Sequence, residues 1–207
     1  MARRTEFMRK ARAPPCAPPF SPNPQFLKQR FIMSALPVPL NRTALAFSSV
    51  RNCSLLAITL GLQTGWAVHE RDGDISFNHK FFRSSEYEGE GMKFVRFRYW
   101  LDEISKKYGA FDAVVFADVP HHSSMQSAIV YGGFLGHLTG WCDWRQIPYI
   151  GVAMPDVHKL VTGGNGIDQQ SLLDALRRKG FIGVDRETVG ALAVLDWALH
   201  YKARGNA

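Results

Sequence analysis

The stretch LLAITLGLQTGWAV, residues 55–68, decides the fold. It opens with a short apolar run that ends in a glycine, which predicts a buried β-strand over residues 55–60. Residues 64–68 resume the apolar pattern and predict a second strand. The sequence RDGD at residues 71–74 then predicts a hairpin turn, followed by a third strand over residues 75–82. The domain is therefore expected to begin with three consecutive strands.

After the third strand, helical and strand patterns alternate. Apolar residues recur every three or four positions over residues 93–108, which is typical of an amphipathic helix. The apolar run at residues 113–117 predicts a central parallel strand, because such strands are covered on both faces. Gly132, Gly133 and Gly136 lie in the next helix at a spacing that permits close packing of backbone on backbone. The remaining predicted elements are that helix over residues 123–145, a strand over 148–152, and helices over 155–161, 168–179 and 187–203.

This order predicts an α/β fold with a central mixed sheet of about five strands and helices on both faces. Three strands followed by helix, strand, helix, strand and terminal helices is the order of the RNase H-like fold. Other α/β folds share parts of that order, so the motifs have to decide between them.

The first 48 residues differ in composition from the rest of the chain. Residues 1–50 contain eight Lys and Arg but one acidic residue, Glu6, and residues 13–40 contain eight prolines. Proline disfavours both helices and central strands, so we predict a disordered tail over residues 1–48 and a folded domain over 49–207. Three origins of the tail stay open: an organelle transit peptide, a basic arm that binds phosphates, or an over-extended reading frame that starts at Met33.

Composition also narrows the environment in which the protein works. No stretch approaches the roughly 20 uninterrupted apolar residues that a membrane-spanning helix requires. The cysteines Cys16, Cys53 and Cys142 lie far apart and lack the spacing of a zinc site. We therefore expect unpaired thiols in a reducing compartment, a cytoplasmic location and no membrane association.

Five stretches, in the same order along the chain, resemble the RuvC-type Holliday-junction resolvases of phages and mobile elements. Residues 56–67 (LAITLGLQTGWA) resemble the first hairpin of that family, and residues 115–122 (VFADVPHH) resemble its fourth strand with the loop that follows. Residues 130–135 (VYGGFL), 147–152 (IPYIGV) and 189–199 (VGALAVLDWAL) resemble three later motifs. The resemblance spans about 150 residues. It implies the RNase H-like fold.

The same resemblance implies a metal-dependent chemistry, and this chain departs from the family at the residues that would carry it. In the family, carboxylates from the first strand, the fourth strand and the last helix hold two Mg²⁺ ions that activate water for attack on a phosphate. The corresponding positions here are Thr59, Ala117 and Gly190. A threonine hydroxyl carries no charge, and alanine and glycine offer no side-chain ligand. We therefore expect no catalytic residue, no bound metal and no cofactor.

Three other acidic residues lie near those positions in the sequence. Asp118 follows Ala117, but neighbouring residues of a strand point to opposite faces of the sheet. Glu187 precedes Gly190 by three residues and shares its helical face. Asp185 lies at the expected helix start, where an N-terminal cap is the ordinary role. An active Mg²⁺-dependent nuclease would have to use these three residues.

Basic, histidine and threonine side chains supply the candidate nucleic-acid contacts. The family has a basic segment before its later helices, which this chain retains only in part because glutamine replaces its downstream lysine, and this weakens phosphate neutralisation. Lysine and arginine side chains on the first helix are either phosphate contacts or an ordinary solvated face. The candidate residues are Lys93, Arg96, Arg98, His121, His122, Lys159 and Thr162.

Three functions remain open at this point. The first is a catalytically inactive RuvC-like homologue that binds branched DNA, or a partner protein, without cutting. The second is a divergent active Mg²⁺-dependent junction endonuclease, and the third is a protein interaction module that no longer binds DNA. A homodimer is implied by the resemblance alone, since RuvC-type resolvases act as dimers on two-fold symmetric junctions.

Overall fold

The computed structural model describes residues 52–164 and 168–204. The tail predicted over residues 1–48 lies outside these residues. The elements begin with the strands β1 (Leu55–Thr59), β2 (Gln63–His69) and β3 (Ile75–Phe81). They continue with α1 (Met92–Tyr108), β4 (Ala113–Asp118), α2 (Met125–Arg145), β5 (Tyr149–Ala153), α3 (Met154–Thr162), α4 (Gln169–Arg178) and α5 (Val189–Arg204).

The five strands form one mixed sheet in the order β3-β2-β1-β4-β5. The pairs β1–β2 and β2–β3 are antiparallel hairpin partners, whereas β1–β4 and β4–β5 are parallel. The predicted RNase H-like α/β architecture is therefore confirmed. The predicted element ends differ from the observed ones by one or two residues, as is usual where helices and strands fray.

Helices cover the two faces of the sheet and bury a separate apolar cluster on each. On one face, α1 and α2 pack against Leu56, Ile58 and Phe116. On the other face, α3, α4 and α5 pack against Ala57, Val115 and other alternate residues of the same strands. Because side chains of a strand alternate between faces, each side chain of β1 and β4 packs against one of the two helical layers.

The glycines of α2 differ in what lies next to them. A Cβ atom at Gly133 would overlap the ring of Phe94 on α1. The missing side chain of this glycine therefore leaves room for the Phe94 ring and not for the backbone of a neighbouring element. Around Gly132 and Gly136 nothing lies within 4 Å of such an atom. Gly132 and Gly136 lie on an exposed face of the helix, where they leave room for a close approach.

Within the described residues, no helix is both long and apolar enough to span a bilayer. The two cysteines described there, Cys53 and Cys142, are buried and are not joined by a disulfide. Burial raises the pKa of the Cys142 thiol to about 12, so this sulfur stays protonated and unreactive at neutral pH.

Candidate functional site

The fold brings together the three positions that correspond to metal ligands in the resembling family. Ile58 pairs with Phe116 across the parallel strands β1 and β4, and Thr59 and Ala117 are the next residues along each strand. Helix α5 packs across β1, β2 and β4. Its residue Gly190 lies so close to β1 that a Cβ atom there would be 3.0 Å from Thr59 Cγ2. The three positions therefore meet on one face of the sheet.

An open cleft of about 380 Å³ lies at this point. Ala117 does not line it, because its side chain is buried in the core on the α5 side of the sheet. The cleft thus contains two of the three expected positions, and the third lies beside it. The residues that line the cleft are Thr59, Gln63, Gln169, Arg186, Glu187 and Gly190.

The Thr59 hydroxyl makes hydrogen bonds to the backbone of its own hairpin. Its hydroxyl oxygen Oγ1 accepts a hydrogen bond from the backbone N–H of Gly65 on β2 at 3.2 Å. The same oxygen lies 3.4 Å from the carbonyl oxygen of Gly65, to which it donates. The hydroxyl that replaces a carboxylate is therefore engaged in local structure, and it adds no charge to the cleft.

Glu187 is the acidic residue that the structure places in the cleft. Asp185 instead accepts hydrogen bonds from the backbone N–H of Thr188 at 2.8 Å and from the Thr188 hydroxyl at 2.7 Å, which is the arrangement of a helix N-terminal cap. Asp118 is exposed and lies on the α2 side of the sheet, where its charge helps raise the pKa of Tyr131 after the larger effect of burial. Of the three residual acids, Glu187 is therefore the one that lines the cleft.

These residues do not fit a two-metal site. Across residues 52–164 and 168–204, no three or more His, Cys, Asp and Glu side chains are grouped so that they would hold a metal ion. Mg²⁺ is usually held by one or two carboxylates together with substrate oxygens, and a pair of such ions needs several carboxylates at one point. One glutamate in an open cleft does not meet that requirement.

His79 lies next to Asp185, two residues before Glu187 in the chain, and was missed by sequence reasoning. It lies on β3 opposite Gly65, and its Nδ1 atom is 3.8 Å from Asp185 Oδ2. Burial alone would raise the pKa of Asp185, but hydrogen bonds from Thr188 and the nearby His79 outweigh burial and lower that pKa. No motif marks His79; only the strand register brings it next to Asp185.

The basic residues predicted on α1 do not form a free cationic face. Lys93 is 7% exposed and pairs with Glu90. Arg96 makes two hydrogen bonds to the Glu88 carboxylate, at 2.6 and 2.7 Å, and Arg98 pairs with Asp102 at 2.8 Å. Each of these three cations thus has a carboxylate partner in the same domain, and their contact with a phosphate backbone stays a prediction.

The other predicted contacts are distributed over several surfaces. His121 is exposed, whereas the His122 ring packs against Tyr131 with 4.8 Å between ring centres. Lys159 is exposed on α3. Thr162 is buried and donates its hydroxyl to the carbonyl oxygen of His158 at 2.7 Å, so it does not present a hydroxyl to a ligand.

Arg186 is a cation that sequence reasoning overlooked. It lines the cleft beside Glu187, and its side chain makes no ion pair with any described residue. A second cation close to the β1–β2 turn, Arg83, lies with Cζ 5.3 Å from the centre of the half-exposed Phe81 ring. Arg186 and Arg83 thus add to the predicted cation Lys159, which is exposed on α3.

The chain has the RNase H-like fold of the RuvC-type resolvases. It is similar to RuvC of Thermus thermophilus solved in complex with a Holliday junction substrate, with 16% identity, 73% of this chain and 96% of that chain covered, and a TM-score of 0.62. A second Thermus thermophilus RuvC structure gives 17% identity, 72% and 96% coverage, and a TM-score of 0.58.

A eukaryotic protein shows the same fold. The yeast mitochondrial Holliday junction resolvase Ydc2 is 10% identical, with 75% of this chain and 82% of that chain covered and a TM-score of 0.51. No protein-family model matches the sequence, and no curated protein matches it either. At these sequence identities the likeness establishes the fold. Any statement about chemistry therefore has to rest on the residues of the cleft.

Proposed function

We propose that this chain is a non-cleaving RuvC-type protein that binds branched DNA through the cleft between β1 and α5. The observation that supports this most is the composition of that cleft. Thr59 and Gly190 occupy two of the former metal-ligand positions, Ala117 is buried at the third, and a single carboxylate remains. The fold is that of proteins solved as Holliday junction resolvases, one of them with its junction substrate.

Loss of the carboxylates changes what the cleft attracts. Active nucleases of this kind offer several negative charges and need Mg²⁺ to bring a phosphate close. Here Arg186 and Glu187 contribute one positive and one negative charge, with the amides of Gln63 and Gln169 beside them. A phosphate group would meet the guanidinium and the amides directly, so DNA binding would need no divalent ion.

This idea predicts opposite effects for two adjacent substitutions. In EDTA at fixed salt, Arg186→Gln should weaken binding of a four-way junction about fivefold, since one charge contact is worth roughly 1 kcal/mol in water. It should also lower the salt dependence of binding by about one phosphate contact. Glu187→Gln should strengthen binding severalfold, because it removes a like charge from the phosphate site. Fluorescence anisotropy with a labelled junction measures both.

The matched control is Arg177→Gln, which removes an exposed arginine from the last turn of α4 without touching the cleft. It should leave junction affinity nearly unchanged. Weaker binding by Glu187→Gln, or binding that appears only with Mg²⁺, would contradict the metal-independent mode. Absence of junction binding under any condition would remove DNA as the ligand and favour the interaction-module alternative.

The same proposal includes a homodimer formed through α2. Met125 and Ile129 are 81% and 59% exposed, and Gly132 and Gly136 continue the same helix face at spacings of three and four residues. That spacing is the repeat by which two helices pack together, and the glycines allow a close approach. A second copy of the chain is therefore the occupant that fits this face.

Ile129→Glu should convert a dimer into a monomer, because a charge at the centre of a helix pair would be buried without a partner. Sedimentation velocity at micromolar concentrations measures the change. Ile182→Glu is the matched control, since Ile182 is 90% exposed and lies outside α2. A monomeric unmodified protein, or an Ile129→Glu variant that stays dimeric, would exclude this interface.

A further inference from the structure

The C-terminal end of α2 carries an exposed tryptophan beside two arginines. Trp144 is 73% exposed. The Cζ atom of Arg98 on α1 lies 5.5 Å from the centre of its ring, and the Cζ atom of Arg145 lies 5.7 Å from it. The indole is thus flanked by two guanidiniums while most of its surface stays open to solvent, where a flat ligand could stack on it.

A single carboxylate holds this group in place. Asp102 Oδ2 accepts from Arg98 Nη1 at 2.8 Å, and Oδ1 accepts from Arg145 Nη2 at 2.7 Å and from Trp141 Nε1 at 2.9 Å. Burial would raise the pKa of Asp102, but these hydrogen bonds outweigh it and lower the pKa, so the carboxylate stays charged. The two guanidiniums are thereby fixed next to the indole before any ligand arrives.

The charges and donors of the group favour a nucleotide. Two guanidiniums against one carboxylate leave a net charge of +1. Each guanidinium carries five N–H donors, and the bonds to Asp102 use one from each, so donors remain for a phosphate. The indole offers a flat face on which a base can stack, and stacking of this kind accepts any base.

A protein partner fits the surroundings less well. Interface hot spots built on tryptophan lie in dry pockets ringed by other contacts. The neighbours of Trp144 along the chain, Asp143, Arg145 and Gln146, are exposed and polar. The group also lies between α1 and α2, which cover the face of the sheet opposite to α5 and therefore opposite to the layer that carries Glu187 and Gly190.

We propose that Trp144, Arg98 and Arg145 form a second nucleic-acid site that binds an unpaired nucleotide of a single strand, separate from the cleft. The base stacks on the indole and the adjoining phosphate contacts the guanidiniums. Because this site shares no residue with the cleft, experiments can confirm or exclude it whether or not the cleft binds a junction.

The test uses a fluorescein-labelled (dT)12 oligonucleotide and the full chain. Trp144→Ala should raise the Kd for (dT)12 about tenfold, since stacking of one base on an aromatic side chain is worth ~1–3 kcal/mol. Tyr87→Ala is the matched control: Tyr87 is 97% exposed, lies outside α1 and α2, and should have no effect on the Kd.

A second measurement does not depend on any variant folding correctly. A (dT)12 oligonucleotide that carries 5-iodouracil is irradiated with the unmodified protein, and the crosslinked residue is identified by mass spectrometry. We expect the crosslink at Trp144. Crosslinks confined to residues of the cleft, or a Trp144→Ala variant that binds (dT)12 as well as the unmodified protein, would overturn the proposal even if junction binding is intact.

Discussion

Replacing Gly65 by alanine is expected to destabilise the domain by about 3 kcal/mol, the upper end of the usual cost of overpacking. A Cβ atom at this position would overlap the backbone carbonyl oxygen of Glu187 and lie 2.9 Å from Thr59 Oγ1. Backbone atoms cannot rotate away as a flexible side chain can, so the start of α5 would have to move off the sheet. Chemical denaturation with urea measures the loss of unfolding free energy.

Gly61→Ala is the matched control, on the turn between the same two strands. A Cβ atom at Gly61 meets its nearest neighbour, the carbonyl oxygen of Gln63, at an ordinary 3.6 Å. Its backbone φ is not positive, so alanine fits and the change should stay within about 1 kcal/mol. Equal effects of the two substitutions would mean that α5 does not lie against β2 as described. A Gly65→Ala variant that retains full junction binding would show that the cleft tolerates this movement.

Placing carboxylates at the three positions that correspond to metal ligands in the resembling family should create a Mg²⁺ site. In the triple variant Thr59→Asp, Ala117→Glu, Gly190→Asp, four carboxylates including Glu187 would meet at one end of the sheet. Their mutual repulsion should lower stability in EDTA, because one of them, at position 117, is buried. Mg²⁺ should reverse this and add about 1.4 kcal/mol at ten times its Kd, whereas the unmodified protein should not respond.

Variants that carry fewer of these carboxylates show whether added charge alone, or the complete set of ligands, is responsible for metal binding. Gly190→Asp alone places its Cβ 3.0 Å from Thr59 Cγ2, so it should crowd the cleft without gaining metal binding. Adding Glu187→Gln to the triple variant should abolish most of the Mg²⁺ effect, since the ligands act as a unit. Thermal unfolding with EDTA, Mg²⁺ or an equal ionic strength of NaCl measures these differences. A triple variant that folds but ignores Mg²⁺ would mean that these positions do not converge as metal ligands do.

The strands of the sheet could be predicted because the sequence patterns that indicate them are local. The apolar run before Gly61 and the RDGD turn at residues 71–74 define the first hairpins, and the apolar run at 113–117 is readable as a buried strand. The convergence of Thr59, Ala117 and Gly190 could be expected only from the resemblance to RuvC-type resolvases. No periodicity links residues that lie 58 and 131 positions away from Thr59.

The charge distribution could not be predicted because it depends on tertiary partners. A lysine or an arginine on a helix looks the same in the sequence whether a carboxylate faces it or not. Lys93 and Arg96 are paired with Glu90 and Glu88, which lie in a loop whose path the sequence does not reveal. Arg186 was overlooked for the converse reason, since nothing local shows that it borders a cleft. His79 likewise depends on the register of β3 against β2.

Incubating the unmodified protein with a labelled four-way junction in Mg²⁺ or Mn²⁺ is the most direct test of the proposed function. We expect a retarded complex on a native gel and no cleavage on a denaturing gel, because one carboxylate cannot hold the two divalent ions that in-line attack on a phosphate requires. An active RuvC resolvase serves as the positive control for substrate and conditions. Metal-dependent cutting that is lost in Glu187→Gln or Asp118→Asn would contradict this expectation and establish a divergent nuclease.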